Sequence, residues 1–301
     1  MRSPILRPLA RALPWLGTAV VLALILRRVD PVETLRVLSA ARPEPLVLAM
    51  LGWTIIQIAS VLRWWGVERL AGDETVRLPE LARSHVVGMA ANLFLPGGFG
   101  GDVARAWRRR SAERSLLRAA GGVVADRFLA LHALLVVAAL GILSTPALQA
   151  HLTPRQLLVL LVLGSVPFGW PWWQSWRQRT DRPTGRQITA TLGLWLLSVL
   201  LQLGNALVHA WLLDALWPDI PLAWMLAIIP AMSLLASLPV SVNGLGVREG
   251  LLVLWLEPVG VPAPVALALG MLSLGLLVLV GLVGGMVLLR ETLSTPRSDM
   301  A

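Results

Sequence analysis

Residues 263–289, APVALALGMLSLGLLVLVGLVGGMVLL, run without a charged side chain until Arg290. A helix of that length rises about 40 Å, more than the roughly 30 Å of a bilayer's hydrocarbon core, so the stretch reads as a membrane-spanning helix. Four more runs have the same character: Leu9 to Leu26, Pro45 to Leu62, Ala119 to Ser144 and Ile188 to Leu213. A sixth, Gln156 to Trp170, is shorter. It ends at Trp170, Trp172, Trp173 and Trp176 and then Arg177 and Arg179, as an interfacial aromatic belt followed by a basic loop would. The first run meets Arg27 and Arg28 with no small-x-small cleavage pattern, so it reads as an uncleaved helix and not a signal peptide.

Composition agrees with this reading. Of 301 residues, 56% are apolar and 14% charged, against about 25% charged in soluble domains, which excludes an ordinary soluble enzyme. The 26 basic residues are all Arg and outnumber 17 acids, giving +9. On a soluble chain that balance would suggest a nucleic-acid surface. Between long apolar runs it is a topology signal, and no nucleic-acid partner is expected. Cys is absent, which excludes disulfides, Fe–S clusters, thiolate zinc sites and Cys nucleophiles.

Two apolar stretches fit the pattern less simply. His85 to Pro96 is too short to span, and Leu222 to Val240 runs into a Pro, Asn and Gly cluster. Arginines flank the first on both sides, in Arg63 to Arg83 and in Arg108 to Arg118. If both flanks are cytoplasmic, the stretch must enter and leave on one side, as a re-entrant hairpin. Both termini then lie in the cytoplasm and 18 Arg fall in cytoplasmic segments, although four between Arg27 and Arg42 run against the bias. Arg105, Arg127 and Arg248 fall within hairpins or spans.

The two stretches end in similar strings, Leu95-Pro96-Gly97-Gly98-Phe99-Gly100-Gly101-Asp102-Val103-Ala104-Arg105 and Leu238-Pro239-Val240-Ser241-Val242-Asn243-Gly244-Leu245-Gly246-Val247-Arg248. They are 143 residues apart. The same shift carries three first-half spans onto spans found separately: 9–26 onto 152–169, 45–62 onto 188–205, and 119–144 onto 262–287. The expected fold is therefore an all-α polytopic membrane bundle forming one domain over 1–301. Its halves, about 9–144 and 152–289, are inverted-topology repeats, each with three spanning helices and a Gly/Pro-broken re-entrant hairpin. Such paired broken segments are the sequence pointer to a transporter-like site near the midplane.

The residues in these motifs suit an anion. Glycines at 97, 98, 100 and 101 permit a sharp turn, and a helix starting at Asp102 or Val103 would turn its first amides and its dipole toward negative charge. Arg105 on the first turn could grip a phosphate through two parallel bonds. Asn243, Gly244 and Gly246 repeat this arrangement before Arg248. An unpaired charge in the membrane costs about 2.5–3.5 kcal/mol, so Asp102, Asp126 and Glu249 need partners or a hydrophilic cavity. Asp102 with Arg105, and Asp126 or Glu249 with Arg127 or Arg248 across the bundle, are the expected pairs. His85, His132, His151 and His209 are scattered without ligand spacing, so neither metal nor cofactor is expected. Gly281 to Gly285 reads as a helix-packing face. Gly97-x-x-Gly100 lacks the Lys-Ser/Thr of a P-loop, and no G-x-S-x-G elbow or D-x-D is present.

Asn92-Leu93-Phe94-Leu95-Pro96-Gly97-Gly98-Phe99-Gly100-Gly101-Asp102, with Asp126-Arg127 and then Leu238 to Glu249, resembles the lysylphosphatidylglycerol synthase transmembrane (flippase-like) family over nearly the whole chain. That resemblance implies a polytopic bundle with re-entrant helices and a lipid flippase module. The best-known members add a cytosolic aminoacyltransferase domain that these 301 residues lack, so lysyl-lipid synthesis is not expected. By resemblance, the site falls on Asn92, Pro96, Gly101, Asp102, Arg105, Arg127, Asn243, Gly244, Gly246, Arg248 and Glu249, to which the buried-charge argument adds Asp126. The leading expectation is translocation of an anionic phospholipid or polyprenyl-phosphate-linked lipid across a prokaryotic cytoplasmic membrane, without catalysis. The alternatives are a membrane subunit or enzyme of glycolipid or cell-envelope lipid synthesis, and a permeation protein for small anions or drugs. Membrane lipids are the expected partners, with a lipid-modifying enzyme or a second copy as further ones.

Overall fold

The computed structural model describes residues 6–73, 75–94, 100–110, 116–149, 155, 184–237 and 241–294. The Gln156 to Trp170 run, its Trp and Arg belt, and Pro96 lie outside them. The described helices are α1 (Leu6–Arg28), α2 (Pro31–Ser39), α3 (Pro43–Leu70), α4 (Leu78–Phe94), α5 (Gly100–Arg108), α6 (Leu116–Leu143), α7 (Pro146–Gln149), α8 (Gly185–Leu216), α9 (Leu222–Ala236), α10 (Val247–Leu256) and α11 (Ala263–Ser294). Four of them, α3, α6, α8 and α11, are long and apolar enough to cross a membrane. α1 carries the first apolar run over 23 residues.

Local chemistry sets several of the starts. Asp30 accepts a hydrogen bond from the Val32 amide at 2.8 Å ahead of Pro31, which caps α2. Thr184 and Gln187 cap each other reciprocally at the head of α8. Large apolar side chains face outward along the long helices, among them Ile55, Ile58, Leu196, Leu200, Leu282 and Met286. In water such a surface would be an aggregation hazard, whereas in a bilayer it is the lipid-facing side.

Small residues set the close packing. α3 and α8 run antiparallel, with Gly52 against Val208 and Trp211, Gly204 against Ile56, and Gly66 against Leu194. α4 lies along α11, where Gly281 meets Leu93 and Gly284 meets the Val86 carbonyl. Gly285 faces open space, so the packing face is Gly281 with Gly284. α9 lies along α6 in the same manner, at Gly141 against Leu226 and Ala227. Met225, Ile229, Leu252, Leu256 and Leu269 form the main core where α8, α9, α10 and α11 converge.

The first of these two short stretches becomes a helical hairpin, in which α4 folds back as α5, while in the second α9 is followed by α10, which packs against it. α5 is described from Gly100 and so begins earlier than expected, which puts Arg105 beyond its first turn. Across the hairpin, Asn92 Oδ1 accepts from the Gly101 amide at 2.6 Å. α3 continues past Leu62 to Leu70, which takes Arg63 out of the loop to which its charge assigns it.

Candidate functional site

α3, α4, α5, α6 and α8 enclose a cavity of about 280 Å³. Its walls depend on the hairpin closing tightly. A β-carbon on Gly101 would lie 2.5 Å from the Gly88 carbonyl, and one on Gly88 would lie 3.0 Å from Arg105 Cγ. With hydrogen at both positions, α5 lies against α4 and the Arg105 stem passes across Gly88 into the interior.

One end of the cavity is an unbroken ionic chain. Asp126 accepts from Arg63 Nε at 2.9 Å and from Arg105 Nη2 at 3.3 Å. Asp102 accepts from Arg105 Nη1 at 3.4 Å and from Arg127 Nε at 2.6 Å. Among the described residues, three cations share two carboxylates. Arg63, Arg105 and Asp126 are buried, and Arg105 Nε has no partner among the described residues. The Arg105 guanidinium also stacks 3.9 Å from the ring centre of the fully buried Trp64. Trp64 in turn donates to Glu68 at 2.9 Å.

The other end carries no charged side chain and mixes polar residues with apolar ones such as Ile56 and Leu201. Trp53, Gln57 and Ser60 precede Arg63 on one face of α3, and Gln202 and Asn205 line it from α8. His85 Nε2 and Gln57 Oε1 are 2.9 Å apart. His85 Nδ1 and Trp53 Nε1 have no partner among the described residues.

Arg127 opens the charged end sideways. On α6, Val124, Phe128 and Leu131 are exposed and share a face with Arg127, whose side chain is 49% exposed. A guanidinium tied into a buried ionic chain thus emerges in the middle of an apolar, lipid-facing stripe.

Six of the expected residues line this cavity: Asn92, Gly101, Asp102, Arg105, Asp126 and Arg127. The expected Asp102–Arg105 pair forms. Asp126, however, pairs with Arg63 and Arg105, and not with Arg127 or Arg248. The first-turn amide expected to face an anion is taken by Asn92 at Gly101.

The second motif is not among the lining residues. Asn243, Gly244 and Gly246 have φ of 50°, 74° and 80°, so they form a left-handed turn that Asn and Gly tolerate. Glu249 does not pair with Arg127 or Arg248. Its Oε2 accepts from the Gly246 amide at 2.6 Å and caps α10. The Val242 amide donates to Thr18 Oγ1 at 2.9 Å, tying this turn to α1. Arg248 forms no ion pair among the described residues.

Sequence reasoning missed Arg63, Gln57, His85, Gln202 and Asn205. For Arg63 a signal existed, since Trp64, Trp65 and Val67 continue the apolar pattern beyond it.

Apolar helices long enough to cross a bilayer, around an ionic cavity, define an integral membrane protein. The chain matches the family model for the lysylphosphatidylglycerol synthase TM region over residues 11–285 and belongs to that family, which ties it to membrane lipids. No curated protein matches it.

Proposed function

We propose that the protein translocates an anionic lipid, a phospholipid or a polyprenyl-phosphate-linked lipid, between the leaflets of a cytoplasmic membrane. The observation that carries this reading is Arg127, which belongs both to the ionic chain of the cavity and to the lipid-facing stripe of α6. A phosphate arriving from the bilayer meets this guanidinium first. It can then exchange with the carboxylates for Arg105 and Arg63 while the tails stay in lipid. A soluble anion would have no need of a threshold on the apolar face.

Internal symmetry supports a transport cycle. Adding 143 places α3 at 186–213, within α8, and α4 at 221–237, over α9. The packing is reciprocal as well: α4 with α11 is matched by α9 with α6, and α5 with α6 by α10 with α11. The matched pair α3 and α8 runs antiparallel, as inverted repeats require. In this reading α4–α5 and α9–α10 are re-entrant hairpins from opposite faces and the halves rock about the cavity. The arginine bias puts both termini in the cytoplasm.

The test is a leaflet-resolved assay. Vesicles containing purified protein and fluorescent phosphatidylglycerol are treated with a quencher confined to the outer leaflet. Wild type should expose the inner-leaflet probe, and Arg105→Ala should slow this by at least about tenfold, as loss of a hydrogen bond to a charged group implies. Asp126 keeps Arg63 and Asp102 keeps Arg127 in that variant, so folding should survive. Wild-type rates equal to protein-free vesicles, or sugar transfer to lipid in their place, would overturn the proposal.

A further inference from the structure

The cavity's two ends stand in a fixed order relative to the lipid-facing stripe. Arg127 is at the threshold and Arg105 and Arg63 lie behind it. Ser60, Gln57 and Trp53 then follow along α3, opposite Gln202 and Asn205. Trp53 is ten residues from Arg63, about 15 Å along the helix. A phosphodiester lipid has the same order: tails, phosphate, headgroup. Resting on the reading that the cavity receives such a lipid, we infer that the headgroup beyond the phosphate is an uncharged polyol, of glycerol or sugar type, and not a cationic aminoacyl group.

Charge argues first. The acids lining the cavity are Asp102 and Asp126, both already engaged by arginines, and none lies at the Trp53 end. An ammonium group would find no carboxylate there, and three guanidinium groups nearby. Hydrogen bonding argues next. Gln57, Gln202, Asn205 and Ser60 each offer donors and acceptors, and a hydroxyl both donates and accepts. His85 Nε2, 2.9 Å from Gln57 Oε1, holds that amide group at the cavity wall. Size argues last. The cavity of about 280 Å³ has room for on the order of twenty waters, each needing about 10–15 Å³ of such space. That admits a phosphate with a small polyol and leaves the tails outside.

The experiment titrates the purified full-length chain, by native mass spectrometry, with four lipids. These are phosphatidylglycerol, phosphatidylmethanol (the same monoanion without hydroxyls), lysylphosphatidylglycerol, and a hexose linked to undecaprenyl phosphate. At least one polyol lipid should bind about tenfold more tightly than phosphatidylmethanol, the gain expected from two hydrogen bonds. The tighter of the two identifies the tail. Lysylphosphatidylglycerol should bind more weakly than phosphatidylglycerol. The double variant Gln202→Ala, Asn205→Ala should lower polyol binding to the phosphatidylmethanol level and leave phosphatidylmethanol unchanged. If that variant fails to fold, the wild-type ranking decides. Phosphatidylmethanol binding as tightly as both polyol lipids, or the lysyl lipid binding at least as tightly as phosphatidylglycerol, would overturn the inference. Translocation persisting in the leaflet assay alongside either result would leave the transport reading standing. No lipid bound and no lipid moved would remove both.

Discussion

Asp126 bridges two guanidinium groups from two other helices, Arg63 of α3 and Arg105 of α5, in the buried wall of the cavity. Asp126→Asn would remove the negative charge between Arg63 and Arg105 and turn one of the two acceptor oxygens into an NH2 donor, so that one guanidinium loses its bond to this residue. We predict a loss of about 3–5 kcal/mol, the cost of breaking a buried pair, measured by denaturant unfolding in mixed micelles. Asp102→Asn should cost clearly less, because Arg127 is half-exposed and can turn to headgroups or water. Equal losses would mean that Asp126 is not the hub. Asp102, Arg105, Asp126 and Arg127 were legible in the sequence because charge among apolar residues demands an explanation. Arg63 was legible only through Trp64, Trp65 and Val67, which continue the apolar pattern past it, because its own charge ended the run that located α3. Gln57, Gln202 and Asn205 were invisible for the opposite reason, since isolated amides neither break a span nor mark a face.

Backbone proximity decides the outcome at the scale of elements. On α11, a β-carbon at Gly284 would run into the Val86 carbonyl of α4, while one at Gly285 meets nothing within 4 Å. Gly284→Ala should therefore separate α4 from α11 and destabilise by about 1–3 kcal/mol, the usual cost of overpacking. Gly285→Ala should stay within about 0.5 kcal/mol. Thermal unfolding of the two variants checks this, and matching transitions would contradict the packing described. The long helices, and the break of each short apolar stretch into two helices, were readable from length and hydropathy. The difference between the two glycine motifs was not. In the first, glycine permits two helices to touch. In the second, it permits positive φ before α10. The same residue type serves both needs, and only the surrounding chain separates them. Glu249 misled in the same way, because a membrane carboxylate can be satisfied by a backbone amide three residues away as well as by a distant arginine.

For the whole molecule, the arginines behind the +9 divide into many outside the apolar spans and a few within them, and Arg63 moves from the first group to the second. The central claim is that a lipid phosphate occupies the chain of Arg127, Arg105 and Arg63, with its headgroup toward Trp53 and its tails over the outer stripe of α6. Photo-crosslinking with two versions of one phosphatidylglycerol, diazirine on the headgroup or on an acyl chain, tests this most directly. Peptide mapping should place the headgroup label on residues 53–63 and 198–205 and the acyl label on residues 124–131. Headgroup label on residues 241–249, or on the outer apolar faces with none on α3 and α8, would contradict it.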